Sequence, residues 1–201
     1  MKRKTLDIVF SVGGLLLAVL LAILGLVLQN QANFADDYVT EQLGAQRITF
    51  TPEEALSPEE KEAECLVEYA GEDLTTGKQA ECYANEYIGL HLAETNDGKT
   101  YSETSSESRA LAAEAEEAAA NDAPNAQELA AQAEELSTKV ETLFRGESLR
   151  GLLLTSYGFS IFGERAGQAA LVCFAAAIIL LLASVAGFVH ASRTPETAVV
   201  T

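Results

Sequence analysis

The side chains able to do chemistry in this chain are few. Among 201 residues there are three cysteines, Cys65, Cys82 and Cys173, and two histidines, His91 and His190. Acidic residues number 30, so many that no single pair of carboxylates is marked out for acid–base work. Two His and one carboxylate on one face would bind iron for oxygen chemistry. A His beside a Ser would activate a nucleophile. Cys65 and Cys82 would close a disulfide, stay as free thiols or share a metal, but Cys-x16-Cys without a second cysteine pair is not a zinc spacing. The sequence contains no Gly-x-Ser-x-Gly elbow, P-loop, His-Glu-x-x-His or Cys-x-x-Cys-His segment and no calcium-binding loop. It nominates no catalytic residue, cofactor or metal ligand, and the chain is read as a non-enzyme.

Which of these groups can meet depends on the elements that carry them. Residues 8–28 and 169–189 are apolar and free of ionisable side chains. Each is long enough to cross a hydrocarbon core of roughly 30 Å at about 1.5 Å of helix rise per residue. Lys2, Arg3 and Lys4 precede the first stretch, and short basic flanks stay on the cytoplasmic side. The expected layout is therefore a cytoplasmic N-terminus (1–7), a first span (8–28), an extracytoplasmic domain (29–168), a second span (169–189) and a cytoplasmic tail (190–201), in the cell membrane. Arg193 and His190 follow the second span while Arg165 and Glu164 precede it, so that flank adds little. A cleaved signal peptide with Lys2-Arg3-Lys4 as its basic region is the rival, but the apolar part exceeds a usual signal core and Asn30-Gln31-Ala32 lacks the small residue expected before a cleavage-site Ala. The layout puts His91 outside and His190 inside, Cys173 within a span, and Cys65 and Cys82 in a compartment where disulfides persist.

The net charge of −17 is uneven: 28 acidic and 9 basic residues lie between the spans. Nucleic acid is excluded as a partner, since its affinity comes from Lys and Arg neutralising phosphates. Flat docking of the domain on anionic lipid is excluded for the same reason. Solvated helix faces account for the acidic residues, which show no converging ligand pattern.

Within the domain, Ser57-Pro58-Glu59-Glu60 combines a capping box with Pro at the first helical position, Thr76-Gly77-Lys78-Gln79 repeats the box, and Gly71 is placed to stop the first helix. Helices over residues 58–70 and 77–94 follow, with Cys65 and Cys82 equally far from the intervening turn. An antiparallel hairpin would set them side by side, and a bridge there would contribute about 3 kcal/mol in the chain-entropy account. Asn96-Asp97-Gly98-Lys99 reads as a turn, Thr104 to Ser108 as polar and cap-like, and Arg47-Ile48-Thr49-Phe50 as a short extended piece. Residues 110–120 and 126–135, rich in Ala and Glu and separated by Asn121-Asp122-Ala123-Pro124, should be helical yet loosely attached, because Ala buries little area. Val140, Leu143 and Phe144 sit at helical spacing, with Gly146 as a possible bend. Leu149, Leu152, Leu153, Tyr157, Phe159 and Phe162 fit two arrangements, a helix lying on the membrane or one continuing into the second span with its Leu residues on the hairpin. Gly163-x-x-x-Gly167 and Ala183-x-x-x-Gly187 permit close helix approach, although such spacing is common by chance here.

Thr142-Leu143-Phe144-Arg145-Gly146-Glu147, followed by Leu149-Arg150-Gly151-Leu152-Leu153-Leu154 and Tyr157, resembles the hallmark of a family of small actinobacterial two-span membrane proteins. The similarity extends through Tyr69-Ala70-Gly71, Thr76-Gly77, Gln79-Ala80 and Tyr87-Ile88 to His91 and includes the basic N-terminus, while residues 110–135 look expanded. Members are often labelled aromatic ring-opening dioxygenase. Such chemistry needs the two-His, one-carboxylate triad, and a bilayer of roughly 30 Å between His91 and His190 would prevent one chain from closing it. The resemblance therefore implies the two-span build without the activity.

The expectation is an all-α protein, two transmembrane helices flanking an extracytoplasmic helical domain with an antiparallel helical hairpin. Two functional classes stay open. One is a non-enzymatic envelope interaction or structural protein that binds another envelope protein or itself. The other is an extracytoplasmic ligand- or cation-sensing module, which would need a partner to relay its signal. A transporter is disfavoured by spans without ionisable residues.

Overall fold

The computed structural model describes residues 2–199; Met1, Val200 and Thr201, the extremities of the two expected cytoplasmic segments, lie outside the described residues. The described chain is helical, with two isolated antiparallel bridges, Lys2 with Val199 and Thr49 with Asp73. Its α-helices are α1 (Arg3–Gln46), α2 (Glu64–Glu68), α3 (Gly77–Cys82), α4 (Gly89–Thr95), α5 (Tyr101–Ala120) and α6 (Ala126–Arg193). Two helices, α1 and α6, are long and apolar enough to cross a membrane. The chain divides into a paired-helix unit, residues 1–38 with 160–201, and a body unit, residues 39–159.

In the paired-helix unit α1 and α6 run antiparallel in constant register. Asp7 meets His190, Gly187 faces Ser11, Gly14 faces Ser184, Gly25 faces Phe174, and Gly167 and Gly163 face Ala32 and Ala35. Residues buried at intervals of seven carry the seam: Ser11, Ala18 and Gly25 on α1, then Gly163, Ala170, Ala177, Ser184 and Ala191 on α6. A strict seven-residue repeat keeps one seam facing its partner through a left-handed supercoil. Small side chains let the backbones approach, as helix pairs in lipid require. A Cβ added at Gly14 would lie 2.5 Å from the Ser184 Oγ, and one at Gly163 would lie 2.5 Å from the Ala35 Cβ. The glycines of both small-residue spacings, Gly163, Gly167 and Gly187, sit on this seam.

The body unit packs around Phe50, Leu66, Leu74, Ala80, Ala84 and Leu143. Val39 and Leu43 of α1 and Leu143 and Leu153 of α6 belong to the same cluster. The extended piece expected at residues 47–50 forms. The Phe50 N–H donates to the Glu72 carbonyl and the Leu74 N–H to the Ile48 carbonyl, each at 2.8 Å, which holds Phe50 and Leu74 inward. The helix expected over residues 58–70 is shorter and broken. A 3₁₀ turn, Glu60–Glu62, precedes α2, and Ala63 between them is extended (φ −85°, ψ 101°). The Ser57 and Glu60 box does form, with the Ser57 N–H donating to Glu60 Oε2 at 2.7 Å and the Glu60 N–H to Ser57 Oγ at 3.1 Å. Glu59 to Glu62 offer no apolar face, and short helices are marginal without one; Cys65, Leu66 and Val67 supply it only after Ala63.

The second expected helix is continuous from Gly77 to Thr95 but carries a π-helical turn, Tyr83–Ile88, between α3 and α4. Gly71 adopts φ +76° beyond α2, and the turn at residues 96–99 forms with Asp97 and Gly98 at positive φ. The cap expected between Thr104 and Ser108 lies earlier. Thr100 and Glu103 make the box, and Thr104 is buried inside α5, accepting from Asn96 Nδ2 at 3.0 Å. Gly146 does not bend α6, which continues through it. An added Cβ there would collide with Leu92, so this glycine serves close approach. Residues 149–162 are interior to α6, with Leu153 buried in the body core and Leu154 packed on it.

Candidate functional site

The body unit's chemistry gathers on the α3 to α4 rod. Thr76 opens it: its hydroxyl accepts from the Gln79 N–H at 3.2 Å, and Gln79 Oε1 accepts from the Thr76 N–H at 3.0 Å. Gln79 Nε2 also donates to Glu72 Oε2 at 2.9 Å, fixing the loop that precedes the helix. Cys82 closes α3 and joins Cys65 of α2 in a disulfide with the Cα atoms 6.1 Å apart. The pair singled out by the sequence is therefore brought together; Cys173, the remaining cysteine, is free.

Directly after Cys82 comes the π-helical turn. Its i→i+5 pattern brings residues four apart nearer to eclipsing than an α-turn does. Tyr83 stacks on Tyr87 with centroids 4.7 Å apart, Tyr87 contacts His91 at 4.6 Å, and Phe50 meets Tyr83 edge-on at 5.3 Å. Burial, and secondarily the neighbouring Tyr87, push the Tyr83 phenol above its usual pKa. Tyr69 is raised as well, by burial first and then by the carboxylates of Glu68, Glu72 and Glu81. At the far end of the ladder His91 Nδ1 lies 2.8 Å from the Tyr87 carbonyl. A carbonyl only accepts, so Nδ1 carries the proton. Its Nε2 then faces Glu60 Oε1 at 3.9 Å, too long for a hydrogen bond. Glu60 is only 6% exposed, yet its other oxygen is satisfied by the Ser57 N–H.

A polar groove of about 280 Å³ lies over the disulfide, lined also by Tyr69, Lys78, Glu81, Asn85 and Glu86. On Asn85 converges Arg150 of α6, whose Nη2 donates to Asn85 Oδ1 at 3.2 Å. The Arg150 Nε is buried and has no hydrogen-bond partner among the described residues. Cys82 is buried beneath this groove, which Lys78 lines from the same helix. Among the described residues no group of three or more His, Cys, Asp or Glu is placed to hold a metal ion.

In the paired-helix unit His190 Nδ1 donates to Asp7 Oδ2 at 2.9 Å. The two histidines thus belong to separate units, each facing its own carboxylate. The basic residues singled out as a topology signal are engaged with the other tail. Lys2 bridges Val199, the Arg3 N–H donates to the Ala198 carbonyl at 3.1 Å, and Lys4 Nζ lies 3.7 Å from Glu196 Oε1.

Sequence reasoning missed the aromatic ladder, although Tyr83, Tyr87 and His91 stand at intervals of four. It also missed Glu60 facing His91 and Arg150 meeting Asn85, partners 65 residues apart, for which no local signal exists. Compared with known proteins, the chain matches no family model, no curated protein and no solved structure.

Proposed function

We propose that this chain is a two-pass membrane protein whose acidic helical body serves, without catalysis, as a docking element for another envelope protein or for a second copy of itself. The observation that carries the proposal is a pair of open apolar side chains on the body unit's part of α6. Phe144 is 56% and Leu152 is 67% exposed, and the two lie within about 80° of each other around α6. Open apolar surface of this kind marks association sites. In this layout residues 8–28 and 169–189 span the cell membrane, Lys2, Arg3 and Lys4 hold the N-terminus in the cytoplasm, and residues 29–168 stand outside. The small-residue seam along α1 favours a retained anchor over a cleaved leader, which would have no need to match α6. The Cys65–Cys82 bridge favours an oxidising compartment for the body and a short antiparallel hairpin between α2 and α3. Membership of the actinobacterial two-span family is likewise a proposal, resting on the quoted motifs. The dioxygenase label is set aside because His91 and His190 would face opposite sides of the bilayer, each beside its own carboxylate.

Crosslinking in intact cells followed by gentle detergent purification should recover a stable complex from the natural host. Phe144→Asp with Leu152→Asp should abolish it while leaving the helical content unchanged. Recovery of monomer alone at native expression would overturn the proposal. The polar groove over the disulfide favours one alternative, a sensing module for a small polar ligand or cation acting through a partner. Ligand-dependent stabilisation that Lys78→Ala removes would support it.

A further inference from the structure

The acidic residues at the joined ends of α1 and α6 are already occupied. Asp7 is bound by His190 and Glu196 by Lys4. Arg3 and Arg193 have no acidic partner among the described residues, and both line one pocket of about 300 Å³ together with His190, Thr194, Pro195 and Ala198. The pocket is built from both tails, which the Lys2 bridge to Val199 and the Arg3 to Ala198 hydrogen bond tie together. Thr194 cannot add a donor, because its hydroxyl already donates to the His190 carbonyl at 2.9 Å. Two guanidinium groups on one pocket, with no acidic partner among the described residues, offer forked donors that suit the oxygens of an external phosphate.

A second feature selects the source of that phosphate. Within about two helical turns of the pocket the surface becomes apolar and open, with Val9 at 60% and Val189 at 45% exposed. A soluble phosphate would leave that surface unused, whereas a lipid fills both halves at once. The geometry points to a site for an anionic phospholipid: the headgroup phosphate held between Arg3 and Arg193, and the acyl chains lying along the apolar faces of α1 and α6. This inference rests on the membrane-spanning reading of the two helices. It is distinct from the acidic body, whose charge repels such headgroups.

The test uses the full chain in neutral detergent, with phosphatidylglycerol or phosphatidylcholine added and bound lipid read by native mass spectrometry. Phosphatidylglycerol should be retained preferentially, and Arg3→Ala with Arg193→Ala should weaken retention about tenfold or more, by the contribution of each basic group near an anionic headgroup. Arg3→Lys with Arg193→Lys should keep most of it. Arg109→Ala with Lys139→Ala, which removes equal charge from the body, should change nothing. Equal retention by the double-Ala variant overturns the site. So does an equal loss in the body variant, which would make net charge the cause. Inorganic phosphate or glycerol phosphate displacing the lipid at equimolar concentration would assign the guanidinium pair to a soluble anion and overturn the lipid. Alkaline carbonate extraction separates the two layers of inference. A chain stripped from membranes loses the spanning reading, while one that stays but ignores phosphatidylglycerol loses only the headgroup site.

Discussion

At the scale of single residues, the Cys65–Cys82 bridge ties α2, five residues long, to the end of α3. Neither segment could hold its helical form alone. Replacing both cysteines by Ser should lower the stability of the full chain by about 3 kcal/mol, read as a lower melting temperature in detergent. An unchanged melt would show that the aromatic packing of Phe50 and Tyr83 suffices. The bridge was legible because the caps at Ser57 and Thr76 and the stop at Gly71 are local chemistry, and they place the two cysteines symmetrically about the turn. The facing of Glu60 and His91 was not, since Glu60 is positioned by its own cap and His91 by a ring stack that only the folded rod creates. Arg150 and Asn85 were invisible for the same reason. Their meeting depends on how α6 lies on that rod.

At the scale of elements, the seam between α1 and α6 is set by what is missing from its side chains. Gly163→Leu should force α1 and α6 apart, because the Ala35 Cβ has no rotamer by which to yield and the Ala32 carbonyl lies 3.5 Å from an added Cβ. Overpacking of this kind costs about 1–3 kcal/mol, and a drop in the detergent melting temperature would report it. Gly151→Leu, where an added Cβ meets nothing within 4 Å, is the matched control and should fall far less. Both long apolar helices were plain from composition, but the seven-residue repeat was not, because Ser, Ala and Gly at intervals look accidental in a chain rich in small residues. The expected helix over residues 58–70 failed for the opposite reason. Its caps were correct, while its first half held nothing to bury. The π-helical turn leaves no composition signal, and Tyr83, Tyr87 and His91 at intervals of four fit an α-helix equally well.

At the scale of the molecule, the sequence disclosed an all-helical chain with two apolar helices long enough to span a membrane, and the charge contrast between tails and body. In the proposed topology, a membrane-impermeant maleimide applied to intact cells should label Cys65 and Cys82 only after reduction. Labelling without reductant would remove the bridge, and labelling only after lysis would reverse the topology. Cys82 is buried beneath the groove and Cys65 half-buried, so Cys65 should react first. The constant register of the paired helices has a further consequence, in the kinds of length change the chain can survive. One residue inserted into α1 between Ser11 and Gly25 would rotate everything on one side of it by about 100°, swinging small residues out and bulky ones onto α6. Seven residues, added to both helices at facing positions, would restore the match. Drift in length should thus come in paired sevens along the spans, whereas the loop at residues 121–125 between α5 and α6 can grow by any number.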